Sequence, residues 1–145
     1  MPVLVPARGA AGFRNLSTGG IAEFIVLGPF AQGDILSEVF VSLVLMGDAG
    51  GHTGIFNAAV TGSQDATEAN FSSGTPLLAS SDIQEGGALA VRAVVIQSAV
   101  STYRFFPGIR FDTGAQWVIV RGNFTGNATS AALFVSCKIM RVVEG

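Results

Sequence analysis

The chain has 145 residues, of which 49% are hydrophobic and only 12% charged, against a usual charged share of about 25%. Its net charge is −2 and its basic residues are scattered singly, which excludes the clustered footprint of a nucleic-acid binder. The mean hydropathy of +0.53 raises a membrane question. However, no stretch reaches the roughly 18 uninterrupted apolar residues of a spanning helix, and too many predicted strands are apolar on both faces for a transmembrane barrel.

A chain of this size can bury a core without staples. Its one cysteine, Cys137, rules out an intrachain disulfide and reads as a buried thiol. The first residues lack the charged start and apolar block of a signal peptide, so synthesis in a cytoplasm is expected. Seven of the eight basic residues are Arg and one is Lys138, and Lys is the residue interfaces avoid. The shortage of charge therefore predicts a soluble oligomer whose missing polar surface is hidden between subunits.

Residues 1–20 carry two prolines, four glycines and no clear period. They read as an extended N-terminal arm, either lying on a neighbour or disordered, whose removal is expected to leave the fold intact. Residues 21–145 read as one β-sandwich domain. A strand is predicted over 21–27 and is broken by Gly28-Pro29. The longest strand, over 35–46, places Val39, Val41, Leu43 and Leu45 on a core face; Glu38, Phe40, Ser42, Val44 and Met46 lie on a second face that is too apolar for open water. The glycine-rich block 46–51 is expected to end this strand, with a shorter one over 52–60.

Residues 61–87 are the least regular stretch. Asp82 and Glu85 have capping-box spacing for at most one helical turn. A connection of this length suits a covering loop or the crossover of a Greek key. Strands follow over 88–97, 101–106, 109–111 and 116–124. A hairpin loop is expected over 125–130, and a closing strand over 132–143 buries Leu133, Val135, Cys137 and Ile139. Seven to nine strands without an amphipathic helix predict an all-β protein, an antiparallel two-sheet β-sandwich.

No catalytic, cofactor or metal set is visible. The single histidine, His52, reads as a turn residue and cannot supply the two or three imidazoles of a jelly-roll metal centre. Neither a nucleophile elbow nor a phosphate loop is present. Asp65 with Glu68, and Asp82 with Glu85, read as loop charges or caps rather than glycosidase pairs. Trp117 and Tyr103 read as packing residues before a sugar platform. The triplets at Asn15, Asn70, Asn123 and Asn127 match the glycosylation pattern but read as turn chemistry. Arg92, Arg104, Arg110 and Arg121 each interrupt an apolar strand. They either face outward or form intersubunit salt bridges with Glu23, Glu38 or Asp112, and Arg92 and Arg121 lie in the two most apolar strands.

The apolar Gly/Pro-rich arm, the Lys-poor body and the Trp117-Val-Ile-Val-Arg-Gly segment running into a long last strand together resemble a decoration (cement) protein of a tailed bacteriophage capsid. The resemblance is one of composition and architecture over roughly residues 21–145. It implies a jelly-roll fold, a homotrimer, a virion location and contact with the major capsid protein. It also implies contacts through Val3, Leu4, Val5 and Phe13 of the arm and through Phe40, Val44, Phe134 and Met140 on the second faces of long strands. The alternative is a receptor- or carbohydrate-binding head of a fibre or lectin-like trimer; an enzyme subunit that borrows residues from its partner has no feature in its favour.

Overall fold

The computed structural model describes residues 1–17, 20–77, 94–96 and 100–144. Almost all of them are strand: β1 (Pro2–Leu16), β2 (Glu23–Phe30), β3 (Ile35–Thr61), β4 (Thr75–Pro76), β5 (Val94–Ile96), β6 (Val100–Phe105), β7 (Ile109–Arg110) and β8 (Gln116–Glu144). One five-residue helix, α1 (Glu68–Ser72), follows β3.

Two long strands organise the molecule. β3 and β8 pair antiparallel along nearly their whole length, from Ile35 opposite Met140 to Thr61 opposite Trp117. Their register slips between Met46 and Gly47 and again between Gly47 and His52. At these slips the glycine-rich block of β3 lies against residues 126–130 of β8, and the pair turns a corner. Each long strand therefore serves two sheets. In the first sheet the order is β1, the second half of β8, the first half of β3, then β6 with β7. In the second it is β2, the first half of β8, the second half of β3, then β5 with β4. These two antiparallel sheets form a sandwich in the jelly-roll manner.

The strand end expected at residues 46–51 and the hairpin loop expected at 125–130 are thus corners inside continuous strands. Glycine serves both purposes, because it tolerates the local bulge and the increased twist that a corner needs.

Between the sheets lies one core. Val39, Val41, Leu43 and Leu133 are fully buried in the first sheet; Phe56, Val118, Val120 and Phe124 meet them from the second. Aromatic contacts cross the gap, with Phe56 and Tyr103 at 5.9 Å and Phe30 stacked on Phe111 at 5.2 Å. The close approach of the layers needs small residues. A Cβ on Gly12 would stand 2.7 Å from Ile25 Cγ2, and one on Gly54 would run into the Leu43 side chain.

The stretch expected as a separate arm is extended, but it belongs to the body. β1 pairs with β8 of its own chain from Pro2 opposite Glu144 to Leu16 opposite Ala131, and Leu16 is buried. The boundary between an arm at 1–20 and a domain at 21–145 therefore does not divide the structure. Alternating apolar residues on β1 match the alternation on β8, and this is what draws the two together. Asn15 and Asn123 lie in strands rather than turns. The helical turn expected near Asp82 and Glu85 lies outside the described residues.

Candidate assembly surface

A two-sheet sandwich has two outer faces, and this chain treats them differently. The outer face of the second sheet is covered by the chain itself. The segment 62–74 folds back over it and inserts Phe71, which is fully buried on Ala59 and Ile119 with Phe24 and Val26 alongside. The cover is pinned from within. Thr67 caps α1 by accepting from the Asn70 N–H at 3.1 Å. The Asn70 side-chain amide donates to the carbonyls of Ser63 at 3.0 Å and Asp65 at 2.8 Å, and its Oδ1 accepts from the Thr61 hydroxyl. Arg121 lies over the Phe71 ring at 5.7 Å and brings Nε within 3.1 Å of Glu68 Oε1. That approach is an ion pair without hydrogen-bond alignment, since Arg121 Nε has no hydrogen-bond partner.

The outer face of the first sheet has no such cover among the described residues. On its β1–β8 side, Phe13 and Phe134 stand opposite each other, ring centroids 4.7 Å apart, and are 54% and 44% exposed. Along the same two strands Leu4 pairs with Val142 and both are exposed. Phe40, Val44 and Met140 are partly buried, with Phe40 under the Arg104 guanidinium at 5.4 Å. The face carries an ionic cluster, Glu38 held between Arg104 at 3.6 Å and Lys138 at 3.5 Å. It is a mostly apolar surface with a small charged centre.

Of the contact residues expected from sequence, Leu4, Phe13, Phe40, Val44, Phe134 and Met140 fall on this face, whereas Val3 and Val5, opposite Val143 and Arg141, lie on the other side of β1. Val3, Leu4 and Phe13 are exposed on β1 and Val5 is partly buried there; Phe134 is exposed and Met140 partly buried on β8; Phe40 and Val44 lie on the outward side of β3. Of the arginines, Arg121 finds its carboxylate within the chain, at Glu68, and Arg104 finds Glu38. Arg121 thus has an ion-pair partner inside its own chain, although its Nε makes no hydrogen bond. Arg92 lies outside the described residues. Sequence reading missed the exposed Val142, Val143 and Phe106, because an apolar strand residue reads as core. It also missed the pairing of Asp34, in the turn before β3, with Arg141 near the end of β8.

Elsewhere the described residues gather no chemistry. No three His, Cys, Asp or Glu side chains come together as metal ligands among them. Tyr103 packs between Phe56 and Phe105 rather than on a rim. The Cys137 thiol is buried, and desolvation pushes its pKa up to about 12. The backbone of His52 pairs with Gly126 at the corner of β3 and β8. A groove of about 570 Å³ opens between β1 and the turn that leads into β3, and Arg8, Asp34 and Arg141 are among its lining residues.

No protein-family model matches the chain, and no curated protein matches it. Among solved structures it is similar to a chain in the structure of infectious bursal disease virus Gt strain. The identity is 12% and the TM-score 0.20, with 99% of this chain and 41% of the other covered. A TM-score of that size establishes neither a shared fold nor a shared role.

Proposed function

We propose that the protein is a structural subunit of a virus particle, a capsid decoration (cement) protein that works as a homotrimer seated on the major capsid protein. The observation that carries this reading is the asymmetry of the sandwich. One outer face is sealed by the chain's own Phe71 loop, while the other presents the Phe13–Phe134 pair to solvent. A lone soluble domain gains nothing from a paired aromatic surface of that kind, and contiguous apolar patches mark interaction sites. Covering the exposed part of each ring stabilises a contact by about 2 kcal/mol. A jelly roll is compatible with capsid proteins, lectins and metal enzymes alike, so the fold does not choose among them, and the bare face is what supports an assembled subunit.

Light scattering on the purified chain tests the reading. The expected mass is three copies of the 14.9 kDa chain. The double substitution Phe13→Ser with Phe134→Ser is expected to release monomers with an unchanged circular dichroism spectrum. A wild-type monomer at all concentrations would refute the assembly role. Copurification with capsids, in a fixed ratio to the major capsid protein, tests the virion location.

A further inference from the structure

The groove beside β1 is built around a charge with no ion-pair partner among the described residues. Register along β1 passes from Ala7 opposite Ile139 to Ala10 opposite Cys137, so Arg8 and Gly9 form a β-bulge against a single residue of β8. Gly9 is required there, because a Cβ would collide with the Cys137 carbonyl oxygen. The bulge releases Arg8 from the ladder and makes it part of the groove wall. Arg8 is exposed and pairs with no carboxylate among the described residues. Arg141 stands in the same wall and spends Nε and Nη2 on Asp34. Two guanidiniums and one carboxylate leave the lining with one net positive charge. At about 570 Å³ the groove is in the size range that holds ligands.

We propose that this groove receives the end of β8 from a second copy, with Glu144 of that copy paired to Arg8. The inference rests on the assembly reading and names a second contact within it. Residues 142–144 are extended and exposed, and they end in a carboxylate that forms no ion pair among the described residues. Within one chain Glu144 cannot serve Arg8. It lies opposite Pro2, six residues before Arg8 along β1, a separation of roughly 20 Å at about 3.3 Å per residue. The other exposed carboxylates without an ion pair among the described residues, Asp65 and Asp112, are held in turns. Their own backbone carbonyls accept from Thr67 N–H and from Gln32 Nε2. Val142 and Val143 would cover the small residues Ala10 and Ala11 as the carboxylate reaches Arg8. The groove and the strand end are different surfaces, so the contact is head to tail, and repeating it around an axis closes a ring.

The test is charge reversal in the full-length chain. Arg8→Glu and Glu144→Arg are each expected to raise the concentration for half-assembly about tenfold or more in sedimentation velocity. The double variant is expected to restore it, and added salt to weaken the wild-type contact. Both residues are exposed, so near-ultraviolet circular dichroism should be that of the wild type. Singles that assemble like an oligomeric wild type, or a double that fails to recover, overturn the groove contact and leave the assembly reading standing. A wild type that is itself monomeric overturns both.

Discussion

Asp34 and Arg141 stand 107 residues apart in the chain and meet through two parallel hydrogen bonds, Nε to Oδ1 at 2.8 Å and Nη2 to Oδ2 at 3.0 Å. The pair ties the turn before β3 to the last strand. The same turn is held again by its backbone, with Phe111 N–H donating to the Asp34 carbonyl at 2.9 Å and Gly33 N–H donating to the Phe111 carbonyl at 2.7 Å. Asp34 is only 4% exposed, so its carboxylate depends on these partners.

The hydrogen bond from Arg141 holds the Asp34 carboxyl below its ordinary value, and the guanidinium charge adds to this against the opposing effect of burial. A depressed folded pKa means that the unfolded chain takes up the proton first as pH falls. The stabilisation is present above the unfolded value of about 3.9 and is lost as pH drops through the folded one. Thermal melts from pH 7 to pH 2 should show the wild type losing midpoint temperature below about pH 5. Asp34→Asn should start lower at pH 7 and lose less over the same range. Parallel curves for the two proteins would show that the pair does not set the acid limb.

The cover over the second sheet depends on one amide and one ring. Asn70→Asp is nearly isosteric, yet it replaces a donor facing two carbonyls with an acceptor. The expected cost is about 1–3 kcal/mol, together with faster proteolysis within residues 62–74. Phe71→Ala empties a fully buried site, and about 3–5 kcal/mol is expected. Urea denaturation measures both. Because the Asn70 amide is already committed to Ser63 and Asp65, a glycan on it cannot coexist with this loop. Occupancy of that site in folded protein would contradict the arrangement.

The status of β1 reverses an expectation taken from sequence. If residues 1–20 were a separable arm, their removal would leave the domain intact. In the structure β1 closes the edge of β8, buries Leu16, and lays Gly12 on Ile25 and Leu27. Deleting residues 2–16 exposes a long apolar strand edge and opens one side of the core. The truncated chain is expected to aggregate or to lose its cooperative melt. A soluble truncation with the wild-type midpoint would restore the picture of a separable arm.

Period-two alternation made the two central strands legible before any coordinates. Val39, Val41 and Leu43 face the core because one face of a half-buried strand must, and Phe40, Val44 and Phe134 fall outward for the same reason. Local pattern reached no further at the corners. Gly50-Gly51 and Gly126-Asn127 have the composition of turns, and the same composition permits a bulge inside a continuous strand. Nor could it pair Asp34 with Arg141, since neither residue carries a sign of the other. The short helix was hidden for a different reason: five residues are too few for a 3.6-residue period to register. Half of the candidate surface was readable as unexplained apolar alternation. The rest, including Val142 and Val143, depends on where β8 leaves the body.

Cys137 offers a test of the core that is independent of assembly. It lies on the inner face of β8, opposite Val39 and Ala10, and burial alone raises its pKa from about 9 to about 12. The thiolate is the reactive form, so the folded protein should give almost no colour with an aromatic disulfide reagent at pH 8, and one equivalent per chain in guanidinium. The shift also has a sign in stability. The group stays neutral when folded while the unfolded thiol ionises near its ordinary value, so its contribution is complete below about pH 8.5 and declines as pH rises toward the folded value. Cys137→Ala should flatten that alkaline decline, while costing stability at neutral pH through the small cavity it leaves. Rapid labelling of the native protein at pH 8 would mean that the β1–β8 edge opens far more readily than its pairing implies.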